Sequence, residues 1–276
     1  MVRLICFVSL LFVAFAGPAA AEKVDLGLVL AVDISGSIDA DEARLQRQGY
    51  VEAINHPAVM AAIHSGYYKR IAVTYVEWAG DPYQSILADW AVIHDAASAK
   101  AFADIIANQP IDTAQWTSIS GAIRFGMDMF AMSPYQARRR VIDISGDGAN
   151  NNGLPILPMR KRAIEAGYVI NGLPIVNGKP SRFGMPQIPN LDTYYRECVI
   201  GGTGAFIIVA NGFQDFARAI RRKLILEIAG RPAPAAPGTA AAAPRLRPGV
   251  VHADYHAPTR DCMDGERWLQ LHFDDF

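Results

Sequence analysis

Long apolar runs alternate with amphipathic stretches along residues 24–230. Residues 24–32 are almost continuously apolar, which is typical of a strand that helices cover on both faces. The residues after 118 carry a single apolar stripe at helical spacing, formed by Ile119, Ala122, Ile123, Gly126, Met127 and Phe130. Similar patterns predict strands at 71–78, 85–92, 140–145, 168–173 and 205–210, and helices at 40–55, from about 96, at 158–166 and at 213–224. Because strands alternate with helices, we expect an α/β fold: a three-layer, doubly wound, mostly parallel sheet with helices on both faces.

The two ends of the chain differ from this central part in composition. Residues 1–21 contain one basic residue, an apolar core and an Ala-x-Ala ending, the parts of a secretory signal peptide with cleavage after about Ala21. That core is shorter than the roughly 20 apolar residues of a membrane anchor. Residues 231–248 are rich in Pro and Ala, typical of a semi-rigid linker, and residues 249–276 form a tail too short for a core of its own. We therefore expect one domain at 22–230 of a periplasmic or secreted protein, with no transmembrane segment in the mature chain.

Charge and cysteine content narrow the class of protein. The 26 Lys and Arg residues against 27 Asp and Glu give a formal net charge of −1, so no basic excess indicates a nucleic-acid partner. Three cysteines are too few for a disulfide-dense scaffold. After cleavage only Cys198 and Cys262 remain; either they pair in an oxidising compartment and attach the tail to the domain, or Cys198 is a small buried residue. The sequence leaves this pairing open, and with it whether the tail docks on the domain, binds a partner or stays free.

Oxygen-bearing side chains occupy three loops that the predicted sheet brings to one edge. Asp33, Ser35 and Ser37 follow the first strand, Thr117 precedes the striped helix, and Asp147 follows a later strand. Because ligands in such folds bind at the carboxyl ends of the strands, we expect these five side chains to meet. Carboxylates and hydroxyls are hard ligands that favour Mg²⁺ over zinc or copper. Taken one at a time, the same residues also have structural interpretations, as an Asx turn, a helix N-cap and a turn acid.

The three loops resemble the metal-ion-dependent adhesion site (MIDAS) of von Willebrand factor type A (vWA) domains. The resemblance rests on Asp-Ile-Ser-Gly-Ser at 33–37, Thr-Ser-Ile-Ser-Gly-Ala-Ile at 117–123 and a strand followed by Asp-Gly at 147–148, and it extends over residues 24–230. More narrowly, the stretches at 77–80, 145–151 and 198–202 resemble a family of secreted bacterial proteins of unknown function with this vWA, Rossmann-like fold.

The resemblance implies a role for each residue of the site. Ser35, Ser37 and Thr117 would bind the metal directly through their hydroxyls, and Asp33 and Asp147 would hold it mainly through bound waters. The implied metal is Mg²⁺, or else Mn²⁺ or Ca²⁺, and an Asp or Glu of a protein partner would complete its shell. Three hydroxyls leave positions open on a cation that favours six oxygens and keeps several waters.

Three residues near the site have alternative interpretations. Asp143, inside the predicted strand, competes with Asp147 as the acidic ligand, and we favour Asp147 because it lies beyond the strand end. Trp78 and Trp116 flank the expected metal edge and are candidates for a rim that contacts the partner. Core packing is an equal alternative for Trp78.

These features favour an exported, non-catalytic module that binds a protein partner through a metal at the five MIDAS residues. The alternative is a metal-dependent phosphatase or other hydrolase of haloacid-dehalogenase-like type, with Asp33 as the nucleophile. That chemistry needs a second acid two residues later, and this chain has Ser35 there, which cannot act as a general acid.

Overall fold

The computed structural model describes residues 21–180, 186–230, 250–252, 258 and 260–273. Almost all of the predicted signal peptide, and all of the predicted linker at 231–248, lie outside these residues. Within the described ranges, no helix combines the length and the apolar character needed to cross a membrane.

A mixed sheet forms the centre of the fold. The described residues contain nine strands, β1 (Glu22–Val24), β2 (Leu26–Asp33), β3 (Ile71–Trp78), β4 (Gln84–Ile93), β5 (Tyr135–Ala137), β6 (Arg140–Gly146), β7 (Val169–Pro174), β8 (Phe206–Ile208) and β9 (Val250–His252). Seven of them form one sheet in the order β4-β3-β2-β6-β7-β8-β9, and β1 pairs with β5 apart from it. The five central strands are parallel, while the edge strands β4 and β9 run antiparallel to their neighbours. The mostly parallel sheet expected from the sequence is confirmed, although the pattern did not show that β4 is reversed.

Helices cover both faces of this sheet. In the described ranges they are α1 (Ala40–Ile54), α2 (Pro57–His64), α3 (Ala96–Ala107), α4 (Ile119–Met132), α5 (Ile156–Glu165), α6 (Leu191–Tyr194), α7 (Phe216–Ala229) and α8 (Asp264–Phe273). One apolar cluster lies between the sheet and α1, α2, α3 and α7, and a second lies between the sheet and α4, α5 and α6. Side chains of β2 alternate between them: Leu28 and Leu30 enter the first cluster, and Val29 and Ala31 enter the second. This two-sided burial explains why β2 is apolar at nearly every position.

Local signals in the sequence fix where α1 and α4 begin. The Glu42 N–H donates to Asp39 Oδ1 at 2.8 Å, and the Asp39 N–H donates to Glu42 Oε2 at 3.2 Å, which forms a capping box at the start of α1. Ser118 caps α4 by accepting the Gly121 N–H at 3.2 Å. The short helix α2 was not predicted, because its eight residues are apolar on most sides and show no clear stripe.

The described part of the tail contacts the domain. Strand β9 pairs with β8, with His252 opposite Phe206, and a disulfide joins Cys198 to Cys262 just before α8. Cys198 belongs to a π-helical turn, Tyr195–Val199, that follows α6 directly. Of the alternatives that the sequence left open, the structure therefore has the paired cysteines and the docked tail.

A buried ion cluster joins β6 to α7. Lys223 Nζ forms ion pairs with Asp143 and with Glu227, the second at 2.7 Å. Asn171 Nδ2 on β7 donates to Glu227 Oε1 at 2.9 Å. Burial raises the pKa of Asp143 to about 7, and the charge of Glu227 adds to this effect while Lys223 opposes it. From α1, the neutral Tyr50 also faces this cluster: burial raises the pKa of its hydroxyl well above the usual range, and the charge of Asp143 raises it further.

We expect Asp143 to make the folded state less stable as the pH rises. The pKa of its carboxyl is about 7 in the folded state against 3.8 as the ordinary value, so its contribution is complete below about pH 4 and is lost as the pH rises through 7. Relative to Asp143→Asn, which does not titrate, the unfolding free energy of the wild type should fall by on the order of 1 kcal/mol per pH unit in this window. Urea unfolding of both proteins from pH 4 to 8 measures the difference, and parallel pH profiles would contradict the expectation.

Candidate metal centre

The loop after β2 turns at Asp33, the last residue of the strand. The Ser35 N–H donates to Asp33 Oδ1 at 2.7 Å, so the Asx turn that the sequence allows is present. Gln46 Nε2 on α1 donates to the Asp33 carbonyl at 3.1 Å and holds the end of the strand. Asp33 Oδ2 is buried and has no hydrogen-bond partner in the described part of the chain. The Asx turn therefore accounts for only one of the two carboxylate oxygens.

Ser37 connects this loop to the end of β6. Its Oγ donates to Asp147 Oδ1 at 2.5 Å and lies 3.2 Å from Ser35 Oγ. The contact spans two strands, and it is possible because β2 and β6 pair in parallel with Val32 opposite Ser145. Both strands consequently release their loops at the same level of one sheet edge.

Thr117 approaches the same edge from the loop before α4. Its N–H donates to Asn151 Oδ1 at 2.8 Å, and its carbonyl accepts the Asn151 N–H at 2.9 Å. A β-carbon built on Gly148 would lie 3.3 Å from Thr117 Oγ1, so this hydroxyl lies beside the residue that follows Asp147. The structure thus brings all five predicted residues to one edge, while metal binding by them stays a prediction.

Two buried carboxylates make this edge unfavourable without a compensating charge. Burial raises the pKa of Asp33 well above its usual range, and the nearby charge of Asp147 raises it further. Burial also raises the pKa of Asp147 to about 6, although the hydrogen bond from Ser37 opposes that effect. A bound cation would remove the repulsion and give Asp33 Oδ2 the partner that it lacks among the described residues.

The donor set fits a hard, oxygen-preferring divalent cation. It consists of two carboxylates and three hydroxyls and contains neither imidazole nor thiolate. Across the described ranges, no three His, Cys, Asp or Glu side chains form a group that could hold a metal ion. A metal at this edge would therefore depend on the hydroxyls of Ser35, Ser37 and Thr117.

Several side chains that hold the site in place were missed in the sequence. Gln187 Nε2 donates to the Asp147 carbonyl at 2.8 Å, and the side chain of Asn177 hydrogen-bonds to the Asp147 carboxylate. Asn150 and Asn151 were missed as well, although they follow Asp147-Gly148 directly and their position was a usable signal. Gln187 is 40 residues from Asp147, and nothing in its neighbourhood marks it.

The two tryptophans near the edge have different environments. Trp78 is fully buried in the apolar cluster under α4, so core packing is the correct alternative for it. Trp116 is 42% exposed and has a φ of 69°, in the left-handed region that few residues other than glycine adopt. Its exposed ring is adjacent in the chain to Thr117, and Leu154 on the neighbouring loop is also exposed.

Asp143 lies in the ion cluster described above, whereas Asp147 contacts Ser37.

A family model covers most of the chain. Residues 23–232 match the model of a family described as protein of unknown function, DUF1194. Among curated proteins, none matches the sequence.

Several solved structures have the same fold. Proximal thread matrix protein 1 from the mussel byssus is 12% identical, with a TM-score of 0.55 over 75% of this chain and 49% of that chain. A structure of the same mussel protein with a zinc-occupied MIDAS motif is 12% identical, with a TM-score of 0.50 over 73% of this chain and 45% of that one. A von Willebrand factor type A protein from Catenulispora acidiphila is 13% identical, with a TM-score of 0.50 over 75% and 43%. This chain spans less than half the length of each, and the likeness shows the fold.

Close packing around Gly146 gives a test of the site geometry. A β-carbon on Gly146 would lie 2.6 Å from Asp33 Oδ2 and 2.9 Å from Tyr195 Oη. We expect Gly146→Ala to displace the Asp33 carboxylate, to lower the unfolding free energy by about 1–3 kcal/mol, and to reduce any Mg²⁺-induced rise in Tm. The matched control is Gly66→Ala, whose β-carbon would clash with the carboxylate of Asp25 at the opposite end of β2. Calorimetric scans with and without Mg²⁺ measure both effects; an equal Mg²⁺ response in the two variants would contradict the prediction.

Proposed function

The chain belongs to the DUF1194 family of proteins of unknown function and has the fold of vWA domains, and from these two facts we propose that it is an exported module that binds a protein partner through a divalent metal. The metal-holding residues are Asp33, Ser35, Ser37, Thr117 and Asp147. The observation that carries the proposal is the hydrogen bond from Ser37 to Asp147, together with a buried oxygen of Asp33 that has no hydrogen-bond partner among the described residues.

Each residue has a distinct task in this proposal. The hydroxyls of Ser35, Ser37 and Thr117 are direct ligands, and the carboxylates of Asp33 and Asp147 balance the charge through bound waters. The cation supplies an open coordination position for an Asp or Glu carboxylate of the partner. Mg²⁺ suits the all-oxygen donor set, with Mn²⁺ and Ca²⁺ as substitutes; the zinc in the mussel protein's MIDAS motif supports the use of a divalent cation by this fold.

The rim of the site supports a protein partner. Trp116 is exposed and Leu154 is 52% exposed, and both belong to loops that contact Thr117 or its neighbours. Lys179 forms an ion pair at 3.3 Å with Glu42, which lies close enough to Asp147 for its charge to act on that carboxyl. Apolar side chains beside a charged centre suit a partner that offers a carboxylate flanked by apolar residues.

The phosphatase alternative has no support in the comparisons. Its chemistry needs a proton donor two residues after Asp33, and the side chain there is the hydroxyl of Ser35, which lies 3.2 Å from Ser37 Oγ. We therefore propose binding without turnover.

Export and domain organisation are part of the same proposal. Residues 1–21 have the pattern of a signal peptide, and the Cys198–Cys262 disulfide belongs to an oxidising compartment such as the periplasm or the exterior. The family match over 23–232 supports a single domain at about 22–230, followed by the linker and the tail.

Metal binding is tested by thermal unfolding of EDTA-treated protein. We expect Mg²⁺ or Mn²⁺ to raise the Tm, because a ligand at about 100 times its Kd adds about 2.7 kcal/mol to the unfolding free energy. Asp33→Ala and Asp147→Asn should abolish the rise, the second while keeping an acceptor for Ser37. Asp41→Ala is the control, because this exposed carboxylate pairs with Arg44 on the surface of α1. A wild type whose Tm responds to neither Mg²⁺ nor Mn²⁺ would refute the metal site.

Partner binding is tested by affinity capture from a periplasmic extract. We expect a protein that is retained by the wild type in Mg²⁺ and lost in EDTA or with Asp33→Ala as bait. Trp116→Ala should weaken retention without changing the metal response. The opposing result is hydrolysis of phosphate esters that disappears in Asp33→Asn, with no metal-dependent retention of any protein; it would favour the enzyme.

A further inference from the structure

The C-terminal helix α8 contacts the loops behind the metal centre. We propose that Glu266 on α8 is a positioning residue for the Thr117 side of the site, acting through Asn150, and that the Cys198–Cys262 disulfide holds it there. The metal-dependent part of this inference rests on the proposed function, whereas the positioning itself does not.

Asn150 lies at the centre of the connection. It is fully buried, and its Oδ1 accepts the Ser120 N–H at the start of α4 at 2.9 Å. Its Nδ2 donates to Glu266 Oε1 at 2.8 Å and to the Leu154 carbonyl at 3.2 Å. Its own N–H donates to Tyr194 Oη at 3.2 Å. Both polar atoms of its side chain therefore have hydrogen-bond partners, and only one orientation of the amide satisfies all of these partners.

Glu266 helps to fix that orientation. Its Oε1 accepts from the NH₂ group of Asn150, as the Leu154 carbonyl does, and this leaves the amide oxygen for the Ser120 N–H. Without Glu266, the buried Nδ2 of Asn150 keeps only the longer bond to the Leu154 carbonyl, so the amide that accepts from Ser120 is held less firmly. The packing is close: a β-carbon on Gly265 would overlap the Asn150 carbonyl, so only glycine fits there.

The link continues from Asn150 to the proposed metal ligand. Asn151, the next residue, forms two hydrogen bonds with the backbone of Thr117, and Ser120 is three residues further along the same loop and helix. Asn151 thus holds Thr117, and Asn150 holds the first turn of α4. Orientation of ligands by such outer partners typically changes metal affinity 10- to 100-fold.

Covalent and polar contacts fix α8 on the domain. The disulfide lies two residues before the helix and attaches it to the π-helical turn that follows Tyr194, the partner of the Asn150 N–H. Arg260 donates to the carbonyls of Asn190 and Pro189 at 2.8 and 3.0 Å, and its N–H donates to Glu197 at 2.9 Å. The segment just before α8 is therefore attached to the domain, and this attachment keeps the helix in contact with Asn150.

The test compares three variants of α8 in the full mature chain. Glu266→Ala removes the acceptor, Glu266→Gln retains one in its amide oxygen, and Arg267→Ala is the control, since Arg267 is exposed and pairs with Asp261. Hydrogen exchange of peptides that span 117–123 is measured in EDTA, and Mn²⁺ affinity is measured by titration. We expect faster exchange in this segment and about 10-fold weaker Mn²⁺ binding for Glu266→Ala, with near wild-type values for the other two.

The two readouts separate this inference from the proposed function. If the wild type binds no metal, the exchange result alone decides whether Glu266 positions the Thr117 loop. Unchanged exchange at 117–123 in a folded Glu266→Ala protein overturns the inference, as does an equal change in Glu266→Gln.

A Cys198→Ser, Cys262→Ser double variant tests the role of the disulfide and leaves the Glu266 side chain intact. It should speed exchange in the same segment, and exchange at the wild-type rate there would contradict the role of the disulfide.

Discussion

The parallel pairing of β2 with β6 is the constraint on which the candidate site depends. Its register runs from Gly27 opposite Arg140 to Val32 opposite Ser145, so the two strands end together and release Asp33 and Asp147 at one edge. Both carboxylates are almost fully buried, at 1% and 4% exposure. Removing one charge from water costs several kcal/mol, and two adjacent charges cost more unless a proton or a cation compensates them. Burial is the main cause of the raised pKa values of both carboxyls, and the nearness of Asp147, which this register creates, raises the pKa of Asp33 further.

Helix α1 is adapted to this edge by polar residues on its buried side. Glu42, Gln46 and Tyr50 follow one another at intervals of one helical turn, and each lies near a different part of the loops after β2 and β6. Gln46 donates to the Asp33 carbonyl, Tyr50 donates to Ser145 Oγ at 3.1 Å, and Glu42 lies near Asp147. A purely apolar helix face would leave these backbone and hydroxyl groups without partners, and each buried polar group left unpaired costs about 1–3 kcal/mol.

The sequence predicted the parts of the fold that depend on local or periodic signals. Apolar runs predicted β2, β3 and β6, and the stripe from Ile119 predicted α4. Gathering of the five site residues was also predictable, because parallel strands deliver their loops to one edge. The metal itself remains a prediction, since hydroxyl and carboxylate oxygens also serve turns and caps, as the Asx turn at Asp33 shows.

Contacts between distant segments could not be predicted in the same way. Gln187 reaches Asp147 across 40 residues, and Glu266 reaches Asn150 across 116 residues, and no periodicity encodes either contact. The pairing of Cys198 with Cys262 depends on the distance between two backbone positions, which the sequence does not contain. The reversed direction of β4 likewise depends on the short connection from β3, which brings Trp78 opposite Gln84.

The two sides of the site consequently differ in how their order is maintained. The Asp33 side is held by Gln46, only 13 residues away, on a helix that packs directly on the sheet. The Thr117 side depends on Asn150, which in turn contacts a helix that the chain reaches only after a long connection. Closing a long loop has an entropic cost that one or two hydrogen bonds hardly offset. The disulfide joins residues that are 64 apart in the sequence and keeps α8 close to Asn150. It therefore raises the effective concentration of α8 at that residue. On this reasoning, the complete geometry around Thr117 belongs to the oxidised chain, which agrees with the proposed export to an oxidising compartment.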